Sequence, residues 1–579
     1  MLLGVVKAAC ANRPGDLKVI IMSATIDIEQ FRGFFPGCAV ATVQGSNHNV
    51  AIKYRPEPVD DMDPNLAELI MHVHLTGRTG DILVFASGTR QIWEVIGIVS
   101  LIMHGDGRDR GPRYQPGEIG PLDCYPLYST LPSEYQDEAV YAVAPPPRNG
   151  KPGRKLIMAT NIAETSITIV GVVHVIDTGK VKAAIWNPED ESWALREQNI
   201  SKATAKQRSG RAGRTRDGVA YRMCTETGFH EAMPDFTVPE MQNGDMLQEV
   251  LDILRIGRNP LTFPYMSAPS TEVVIKALGI LSAFGAIQVG LTGLEITETG
   301  LVISRLPVTV YHAVMLLTSQ KYQCQDEILS LVAMLEATEG GQNLFVGIQD
   351  KKTQSLIEMR RKYFGQSSGD HIMLLNIYLA YREACRFQQR ETFISENYLQ
   401  GSVLKTADVT RQQLLGQLCH EAMNKQIKWS PESRPFDDPH FYTPVLKVLA
   451  YSHMLRVAKR LKPVKELKKH EPILWETVRH GALAKMPTTG CHPPDDCEWV
   501  VYDEYSNQGP SKRKLRIVTP IPLDLLISAQ PAPWVRMNLA AGGKVQDAIV
   551  KTIASMGNLT EAYVRQTMPP PANANQPAQ

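Results

Sequence analysis

The segment QRSGRAGR, residues 207–214, contains the residue types that bind phosphate groups. If it forms a helix, Gln207, Arg211 and Arg214 fall at positions i, i+4 and i+7 and share one face. Two guanidinium groups on one face can chelate phosphate oxygens and stabilise the charge that develops on them. A solvated basic face is the alternative. Two glycines inside a helix cost about 2 kcal/mol relative to alanine, which favours the phosphate-binding interpretation.

A second segment, ATNIAETS at residues 159–166, overlaps the end of the apolar run KLIMAT. Its short polar side chains, and the backbone N–H groups at the start of a following helix, can bind anions such as phosphates. Thr160, Asn161 and Thr165 are therefore candidate phosphate contacts. Capping of the next helix by Thr160 or Asn161 is the simpler alternative, and capping and binding can coexist.

Two shorter segments also end strand-like runs. Ser23, Ala24 and Thr25 follow the run KVIIM, and Ser87 and Gly88 follow the run DILVFA. The first segment offers hydroxyl groups that can bridge neighbouring loops. The second offers a hydroxyl beside a glycine, where a backbone phosphate can approach closely. Either segment alone is weak support, because such short combinations occur by chance.

Short runs rich in Val and Ile must position these segments. They are KVIIM (18–22), DILVFA (81–86), KLIMAT (155–160), VVHVID (172–177) and GVAYRM (218–223). Each run is followed by Ser, Thr, Asn or Gly and usually by a helical period, which is typical of a parallel sheet covered by helices. Ligands of such sheets bind beyond the carboxyl ends of the strands. The sequence therefore predicts an α/β lobe with its functional edge at those ends.

The later part of the chain has a different pattern. From about Asp235 to about residue 425 amphipathic helices dominate, and residues 291–297 between them resemble the wing of a winged-helix unit. Strand-like runs return at Glu498–Tyr505 and Leu515–Val518, which a small barrel would suit.

The composition limits the function classes. With 579 residues, 43% apolar and 21% charged, the chain suits a soluble protein of about four domains, and no apolar stretch is long enough to span a membrane. The 61 basic and 60 acidic residues nearly balance, so any nucleic-acid contact must come from local geometry. Nine cysteines without a CxxC pair predict free thiols in a reducing compartment. Cys491, His492 and Cys497 lack a fourth ligand nearby, so no metal site is predicted.

Taken together and in order, the four polar segments resemble motifs III, IV, V and VI of superfamily 2 helicases. The forms NIAETSITI and QRSGRAGRTR are similar to those of the DEAH-box RNA helicases. The resemblance extends from about Leu17 to about Pro531 and includes NISKA (199–203), GDHIMLLN (369–376), DVTRQQL (408–414) and EWVVY (498–502). Within the family, PLYSTLP, KPGRK and YQCQDEILSLVAML are most similar to the type that dismantles spliceosomes and acts in ribosome biogenesis.

The resemblance implies a series of domains. An α/β RecA-like lobe with helices on both faces of its sheet would be followed by a winged helix, a helical bundle and an OB-fold barrel. The implied bounds are 1–50 for a remnant of the first RecA-like lobe with motif III, 51–232 for the second RecA-like lobe, 233–305 for the winged helix, 306–430 for the ratchet-like bundle, 431–540 for the OB-fold, and 541–579 for a partly disordered tail.

The resemblance also implies roles for the site residues. Gln207, Arg211 and Arg214 would be catalytic and face the γ-phosphate of ATP bound with Mg²⁺. RNA would contact Ser87, Gly88, Thr160, Asn161 and Thr165. Ser23, Ala24 and Thr25 would couple the nucleotide state to the grip on RNA.

Partners and location are implied by the same resemblance. The partners would be single-stranded RNA or an RNP and an activator protein with a glycine-rich patch, without a membrane. Residues 182–201 would form a β-hairpin that acts as a wedge on the RNA. The expected location is the nucleus, with the nucleolus and cytoplasm as further sites.

Two family motifs do not occur in the sequence. Neither G-x-x-x-x-G-K-[ST] nor Asp-Glu-Ala-His is present, and these elements hold the β- and γ-phosphates and Mg²⁺. We therefore expect most of the amino-terminal RecA lobe to be missing from this sequence. The chain on its own is then expected to hydrolyse ATP negligibly.

Local departures from the family pattern are also present. Thr178 stands where the family has proline, and residues 89–91 (TRQ) stand where acidic residues are usual. The hairpin region is acidic, which should repel RNA; its acidic residues are Glu189, Asp190, Glu191 and Glu197. The basic segment 456–469 is equally compatible with an RNA contact and with a solvated face.

Two other function classes compete with an ATP-dependent RNA helicase. One is an ATP-independent RNA-binding or partner-binding module derived from a helicase. The other is an unrelated α/β metabolic enzyme, which leaves the arginines on a shared face unexplained.

Overall fold

The computed structural model describes residues 1–529 except 14, 24, 44–47, 106–110, 115–116, 130, 132, 165–166, 291–292, 339–342, 347–350, 366–367, 425–426, 430–439, 469–470, 487–489, 492 and 510–511. The predicted residues Ala24, Thr165 and His492, and the tail at 541–579, lie outside the described residues.

The helices are α1 (Leu2–Asn12), α2 (Ile28–Phe34), α3 (Met62–Thr76), α4 (Thr89–His104), α5 (Ser133–Tyr141), α6 (Lys202–Gly210), α7 (Glu226–Ala232), α8 (Glu240–Asn243), α9 (Leu247–Arg255), α10 (Thr271–Ala283), α11 (Glu298–Arg305), α12 (Val310–Tyr322), α13 (Gln325–Ala337), α14 (Lys351–Gly365), α15 (Asp370–Arg386), α16 (Arg390–Glu396), α17 (Gly401–Met423), α18 (Tyr442–Ser452) and α19 (Leu523–Ala529). The strands are β1 (Val50–Tyr54), β2 (Asp81–Phe85), β3 (Leu122–Leu127), β4 (Arg154–Ala159), β5 (Val172–Asp177), β6 (Lys180–Asn187), β7 (Ser192–Asn199), β8 (Gly218–Arg222), β9 (Ile287–Gly290), β10 (Gly293–Ile296), β11 (Val457–Arg460), β12 (Trp475–Thr477), β13 (Leu483–Ala484), β14 (Trp499–Asn507) and β15 (Arg513–Pro520).

The chain forms two compact units. The first contains Met1–Ile185, Leu195–Asn243 and Pro264–Ala268. The second contains Trp186–Ala194, Gly244–Phe263 and the chain from Pro269 onward.

The first unit is built on a parallel sheet of six strands in the order β1-β8-β5-β2-β4-β3. Side chains of β2 alternate between two apolar clusters, with Ile82 and Val84 in one and Leu83 and Phe85 in the other. This alternation follows from the two-residue period of a strand. Both faces of the sheet are therefore covered, which fits the predicted RecA-like lobe.

Four of the five predicted strands are confirmed, as β2, β4, β5 and β8. The prediction for residues 18–22 is wrong, since they form no strand and Ile20 and Met22 are 84% and 88% exposed. No strand of the described residues pairs with this run, and an apolar composition cannot replace backbone hydrogen-bond partners. The edge strands β1 and β3 were not predicted, because neither is uniformly apolar.

The hairpin expected at 182–201 is present as β6 and β7. Its tip, Trp186–Ala194, belongs to the second unit. The tip contains both of the hairpin's tryptophans, Trp186 and Trp193, whose ring centroids are 5.2 Å apart.

The second unit follows the predicted change to helices. Helices α9 to α11 flank the antiparallel pair β9–β10 along the chain, and β10 lies within the predicted wing at 291–297. Helices α12 to α17 follow, and then a sheet in which β14 pairs with β11 and β15. The predicted strands at Glu498–Tyr505 and Leu515–Val518 are confirmed as β14 and β15. Among the described helices, none has the length and apolar character needed to cross a bilayer.

Part of the basic segment 456–469 lies inside the protein. Its arginines Arg456 and Arg460 therefore form neither an RNA contact nor a solvated face. Residues Val457–Arg460 form β11, and Arg460 is buried with its guanidinium 4.9 Å from the Trp475 ring centroid. The Arg456 guanidinium lies 3.5 Å from the Tyr311 ring centroid. These two arginines are held by aromatic rings and by backbone carbonyls.

A buried ionic network joins the helices to the sheet in the second unit. Asp503 Oδ1 on β14 lies 3.5 Å from Nε2 of both His312 and His453, and 3.4 Å from Arg456 Nη1. His312 Nδ1 lies 2.7 Å from Glu336 Oε1. One imidazole thus lies between two carboxylates.

The network shifts the pKa values of its histidines in opposite directions. Burial would lower the pKa of His312, but the charges and hydrogen bonds of Asp503 and Glu336 outweigh it and raise the pKa to about 9. Burial lowers the pKa of His453, and it lowers that of His371 to about 3. His312 is therefore the protonated histidine of this group at neutral pH.

We predict that His312 stabilises the second unit in a pH-dependent way. Its native pKa lies above the unfolded value of 6.5, so its contribution is fully present below pH 6.5 and is lost as pH rises to about 9. This shift corresponds to about 3 kcal/mol. His371 and His453 have native pKa values below 6.5, so both are neutral in the folded and unfolded states above that pH. They therefore do not change the free energy of unfolding between pH 6.5 and about 9.

Urea unfolding of the native chain and of His312→Gln at several pH values would measure the effect. The difference in free energy of unfolding should shrink by about 3 kcal/mol between about pH 6 and pH 9. His420→Gln is the matched control, because His420 has a side chain that is 62% exposed. A His312 difference that stays constant with pH would contradict the prediction.

Candidate functional site

The carboxyl ends of three neighbouring strands meet at one edge of the first unit's sheet. Strands β5, β2 and β4 lie side by side, and the loops that follow them are joined by backbone hydrogen bonds. Ala86 N donates to Ala159 O at 2.8 Å, and Thr178 N donates to Phe85 O at 3.2 Å. The predicted segments at 87–88 and 160–164 are thereby fixed next to each other.

Arg208 is the side chain around which this edge is organised. Its side chain is fully buried, and Nη1 donates to Asp177 Oδ1 at the end of β5 at 2.8 Å. Its Nε donates to Glu164 Oε1 in the loop after β4 at 2.7 Å. The guanidinium also lies 4.8 Å from the ring centroid of Phe85 at the end of β2. One guanidinium therefore contacts the ends of β5 and β2 and the loop after β4.

Arg208 stays charged in this buried position. Burial would lower its pKa, but the charges of Asp177 and Glu164 outweigh that effect and raise it. The sequence analysis missed Arg208 and Glu164. The carboxylate of Asp177 at the end of an apolar run was a usable signal, because a buried carboxylate requires a cation.

The helix that bears the phosphate-binding candidates is shorter than predicted. Ser201 caps α6 by accepting a hydrogen bond from Thr204 N at 3.1 Å, and α6 ends at Gly210. A 3₁₀ turn, Arg211–Gly213, replaces the predicted continuation of the α-helix. In 3₁₀ geometry residues three apart are eclipsed, so Arg211 and Arg214 are kept on one side.

Close packing explains one of the two glycines in this segment. A Cβ on Gly213 would lie 2.7 Å from both His48 O and the Val50 side chain at the start of β1. A Cβ on Gly210 would meet nothing within 4 Å. The predicted close approach to a neighbouring element is therefore present at Gly213.

Both candidate arginines bind the loop that follows β4. Arg211 Nη1 donates to Ile167 O at 2.8 Å and Nη2 donates to Glu164 O. Arg214 Nη1 donates to Thr168 Oγ1 at 2.5 Å. Burial, followed by the charge of Arg214, lowers the pKa of Arg211 to about 10, so it remains protonated at neutral pH.

Gln207 connects this segment to the predicted coupling residues. Its Nε2 donates to Thr25 Oγ1 at 2.5 Å. Ser23 Oγ in turn donates to Thr25 O at 3.0 Å, and Thr25 N donates to Ser23 Oγ at 3.3 Å. Positions 25 and 207 are thus in direct contact within the first unit, across 182 residues of chain.

The candidate RNA contacts differ in exposure. Asn161 is exposed and Thr160 is half-buried, whereas Ser87 is buried. Thr160 makes no side-chain hydrogen bond to cap the 3₁₀ turn Asn161–Ala163, so the capping alternative is not supported for that residue.

Gly88 and its neighbours form a tight turn into α4. Ser87 N donates to Gln91 Oε1 at 2.8 Å, and Gln91 Nε2 donates to Asp63 Oδ1 at 2.7 Å. Gln91, one of the departures from the family pattern, therefore holds the turn by its side chain. A Cβ at Gly88 would lie 3.2 Å from Lys182 Nζ, so the end of the Lys182 side chain packs closely against this glycine.

The donor set fits phosphate groups and does not by itself fit a metal ion. Two guanidiniums and one amide come from one short segment, the end of α6 and the 3₁₀ turn after it, and each guanidinium has five N–H donors. In the part of the chain that the structure describes, no group of three or more His, Cys, Asp or Glu side chains could hold a metal ion.

Comparison with known proteins shows which family the chain resembles. Residues 65–216 match the helicase conserved C-terminal domain, and residues 309–374 match the ratchet-like helicase associated domain (HA2). Over 543 residues the chain is 32% identical to the probable ATP-dependent RNA helicase DHX35 of Pongo abelii, covering 91% of this chain and 69% of that protein.

The chain belongs to the DEAH-box RNA helicase family. The first match spans β2, β4, β5 and α6, so it contains the Arg208 cluster of this helicase. The second spans α12, α13, α14 and the beginning of α15.

We predict that Arg208→Ala destabilises the first unit of the helicase by about 3 to 5 kcal/mol, because it leaves the buried carboxylate of Asp177 without its cation. Arg214→Ala removes an exposed arginine from the same segment and should change the free energy of unfolding by less than about 0.5 kcal/mol. Denaturant unfolding of both variants measures the difference. Equal losses in the two variants would show that Arg208 is not the organising charge.

Proposed function

We propose that this DEAH-box helicase chain acts in ATP-dependent remodelling of RNA or RNP, with its first unit gripping RNA and sensing ATP. The observation that supports this best is the joined set of loops at the sheet edge. There, Arg208 joins the strand ends, Arg211 and Arg214 bind the loop after β4, and Gln207 binds Thr25. RNA binding and ATP sensing would therefore use the same set of joined loops.

Gln207, Arg211 and Arg214 are proposed to face the γ-phosphate. Arg211 uses two of its donors on carbonyl oxygens, which leaves further N–H groups for phosphate oxygens. When bound, ATP with Mg²⁺ supplies the phosphoryl group that is transferred to water. The arginines would stabilise the charge that develops on it.

RNA is proposed to follow the loops after β2 and β4. Thr160 and Asn161 present accessible polar side chains there, while Ser87 and Gly88 form the adjacent turn. Thr165 completes the proposed set. Ser23, Ala24 and Thr25 are proposed to couple nucleotide state to this grip, and the hydrogen bond from Gln207 to Thr25 supports that role.

The domain assignments of the accessory regions remain proposals. We assign 1–50 to a remnant of the first RecA-like lobe and 51–232 to the second, with a winged helix at 233–305. The bundle at 306–430 and the OB-fold at 431–540 would complete the RNA path, followed by a tail at 541–579. The paired strands β9–β10 and the sheet of β11 to β15 support the winged helix and the barrel.

The cellular role is proposed from the family resemblance. We infer pre-mRNA splicing or ribosome biogenesis as the process, single-stranded RNA or RNP as the substrate, and the nucleus as the location. An activator with a glycine-rich patch is proposed as a partner.

We predict that Asn161→Asp weakens RNA binding by about tenfold, because it places a negative charge among the proposed phosphate contacts. Asn161 is exposed, so the fold should be unaffected. Asn149→Asp makes the same change in an exposed turn just before the amino end of β4, at the opposite edge of the sheet, and should bind like the native chain. Fluorescence anisotropy with a labelled oligouridine at fixed salt measures the affinities.

Equal affinities for the two variants would contradict the proposed RNA path. ATP turnover by the purified chain tests whether these residues hydrolyse ATP on their own. Because the sequence holds no P-loop motif, we expect RNA binding without RNA-stimulated hydrolysis by these 579 residues alone. Turnover that disappears in Arg211→Ala would show that this expectation is wrong.

A further inference from the structure

Glu191, at the tip of the β6–β7 hairpin, has an unusual backbone conformation. Its φ is +51°, in the left-handed region that favours glycine. A long charged side chain at such a position suggests that the side chain has a task of its own.

The carboxylate of Glu191 is held by the turn between β12 and β13. Oε1 lies 2.7 Å from Arg479 Nη2, and Oε2 lies 3.7 Å from His480 Nε2. The Glu191 side chain is only 9% exposed. An acidic group near the end of a hairpin is therefore buried against two basic side chains.

The rest of the tip is held from other directions. Asp190 Oδ2 accepts a hydrogen bond from Asn507 Nδ2 at 2.7 Å, and Asp190 Oδ1 accepts one from Ser192 Oγ at 2.5 Å. Pro188 O accepts a hydrogen bond from Lys276 Nζ on α10. The carboxylates of both central tip residues are thus bound by described side chains.

The strand pairing of the hairpin and the division of the chain into two compact units agree with these contacts. Strand β7 of the hairpin pairs with β14 at a parallel bridge between Trp193 and Ser506. Residues Trp186–Ala194 belong to the second unit, whereas the rest of both hairpin strands belongs to the first.

The electrostatics favour the bound carboxylate. Burial would raise the pKa of Glu191, but the hydrogen bond from His480 and the charge of Arg479 outweigh it and lower the pKa. The carboxylate is therefore ionised at neutral pH and can serve as one half of an ion pair.

We propose that Asp190 and Glu191 form a latch that fastens the hairpin tip to Arg479, His480 and Asn507 of the second unit. The left-handed conformation of Glu191 is maintained because its carboxylate is bound. Two of the four acidic residues that the sequence analysis expected to repel RNA serve this intramolecular contact. The latch is independent of the proposed function, since it concerns only how residues 186–194 are held.

Amide hydrogen exchange of the intact chain, read by mass spectrometry on peptides covering 186–194, tests the latch. Glu191→Gln removes the charge, and Glu191→Gly removes the side chain while suiting the left-handed backbone. Both should speed exchange in this segment by about tenfold, because the tip opens more often. Glu189→Gln is the matched control, since Glu189 is exposed in the same tip, and it should leave exchange unchanged.

A charge swap distinguishes the ion pair from general packing. Arg479→Glu alone should release the tip, and adding Glu191→Arg should restore protection. Thermal melting of each variant shows whether the chain remains folded, and Glu191→Gly keeps the test decisive if Arg479→Glu does not fold. Unchanged exchange in Glu191→Gln and Glu191→Gly would overturn the latch, as would slower exchange in Glu191→Gly, which would mean that backbone strain dominates.

Discussion

The first unit depends on one buried positive charge and the two carboxylates that neutralise it. Arg208 has no exposed side-chain surface, and its partners are Asp177 at the end of β5 and Glu164 in the loop after β4. A buried ion without its partner is strongly destabilising, so Arg208 and Asp177 can only be buried together, and the half-buried Glu164 supplies the second negative charge. The relative positions of the loops after β4 and β5 follow from this requirement. Arg211 and Arg214 then contact a loop whose place is already fixed.

The buried part of this arrangement was accessible from the sequence. Strands β2, β4 and β5 are covered on both faces, so their residues form continuous apolar runs that a periodicity argument detects. Edge strands escape this argument, since β1 contains Lys53 and β3 contains Asp123. The converse error occurs at residues 18–22, where an apolar run has no strand beside it among the described residues. Strand formation depends on partners that a local pattern does not contain.

The site could be predicted only in part, for a similar reason. Gln207, Arg211 and Arg214 were recognised by their types and spacing, but the 3₁₀ turn at Arg211–Gly213 was not. Arg208 has the same charge as its neighbours in the sequence, and only its burial sets it apart. The same limit applies in the second unit, where Arg456 has the composition of a surface segment but is held against Tyr311 and Asp503. The sequence shows which residues are charged, but the residues that they contact in the fold determine whether a charge is buried or exposed.

The hydrogen bond between Gln207 and Thr25 has a consequence for how a signal can cross the first unit. A carboxamide nitrogen has two hydrogens, and Thr25 occupies one of them. The second hydrogen can reach another acceptor at the same time, so one planar group can join two acceptors as a junction. Any rotation of that plane changes both bonds together. Information about one acceptor is then transmitted to the other through a single rigid group, without a chain of intermediate side chains.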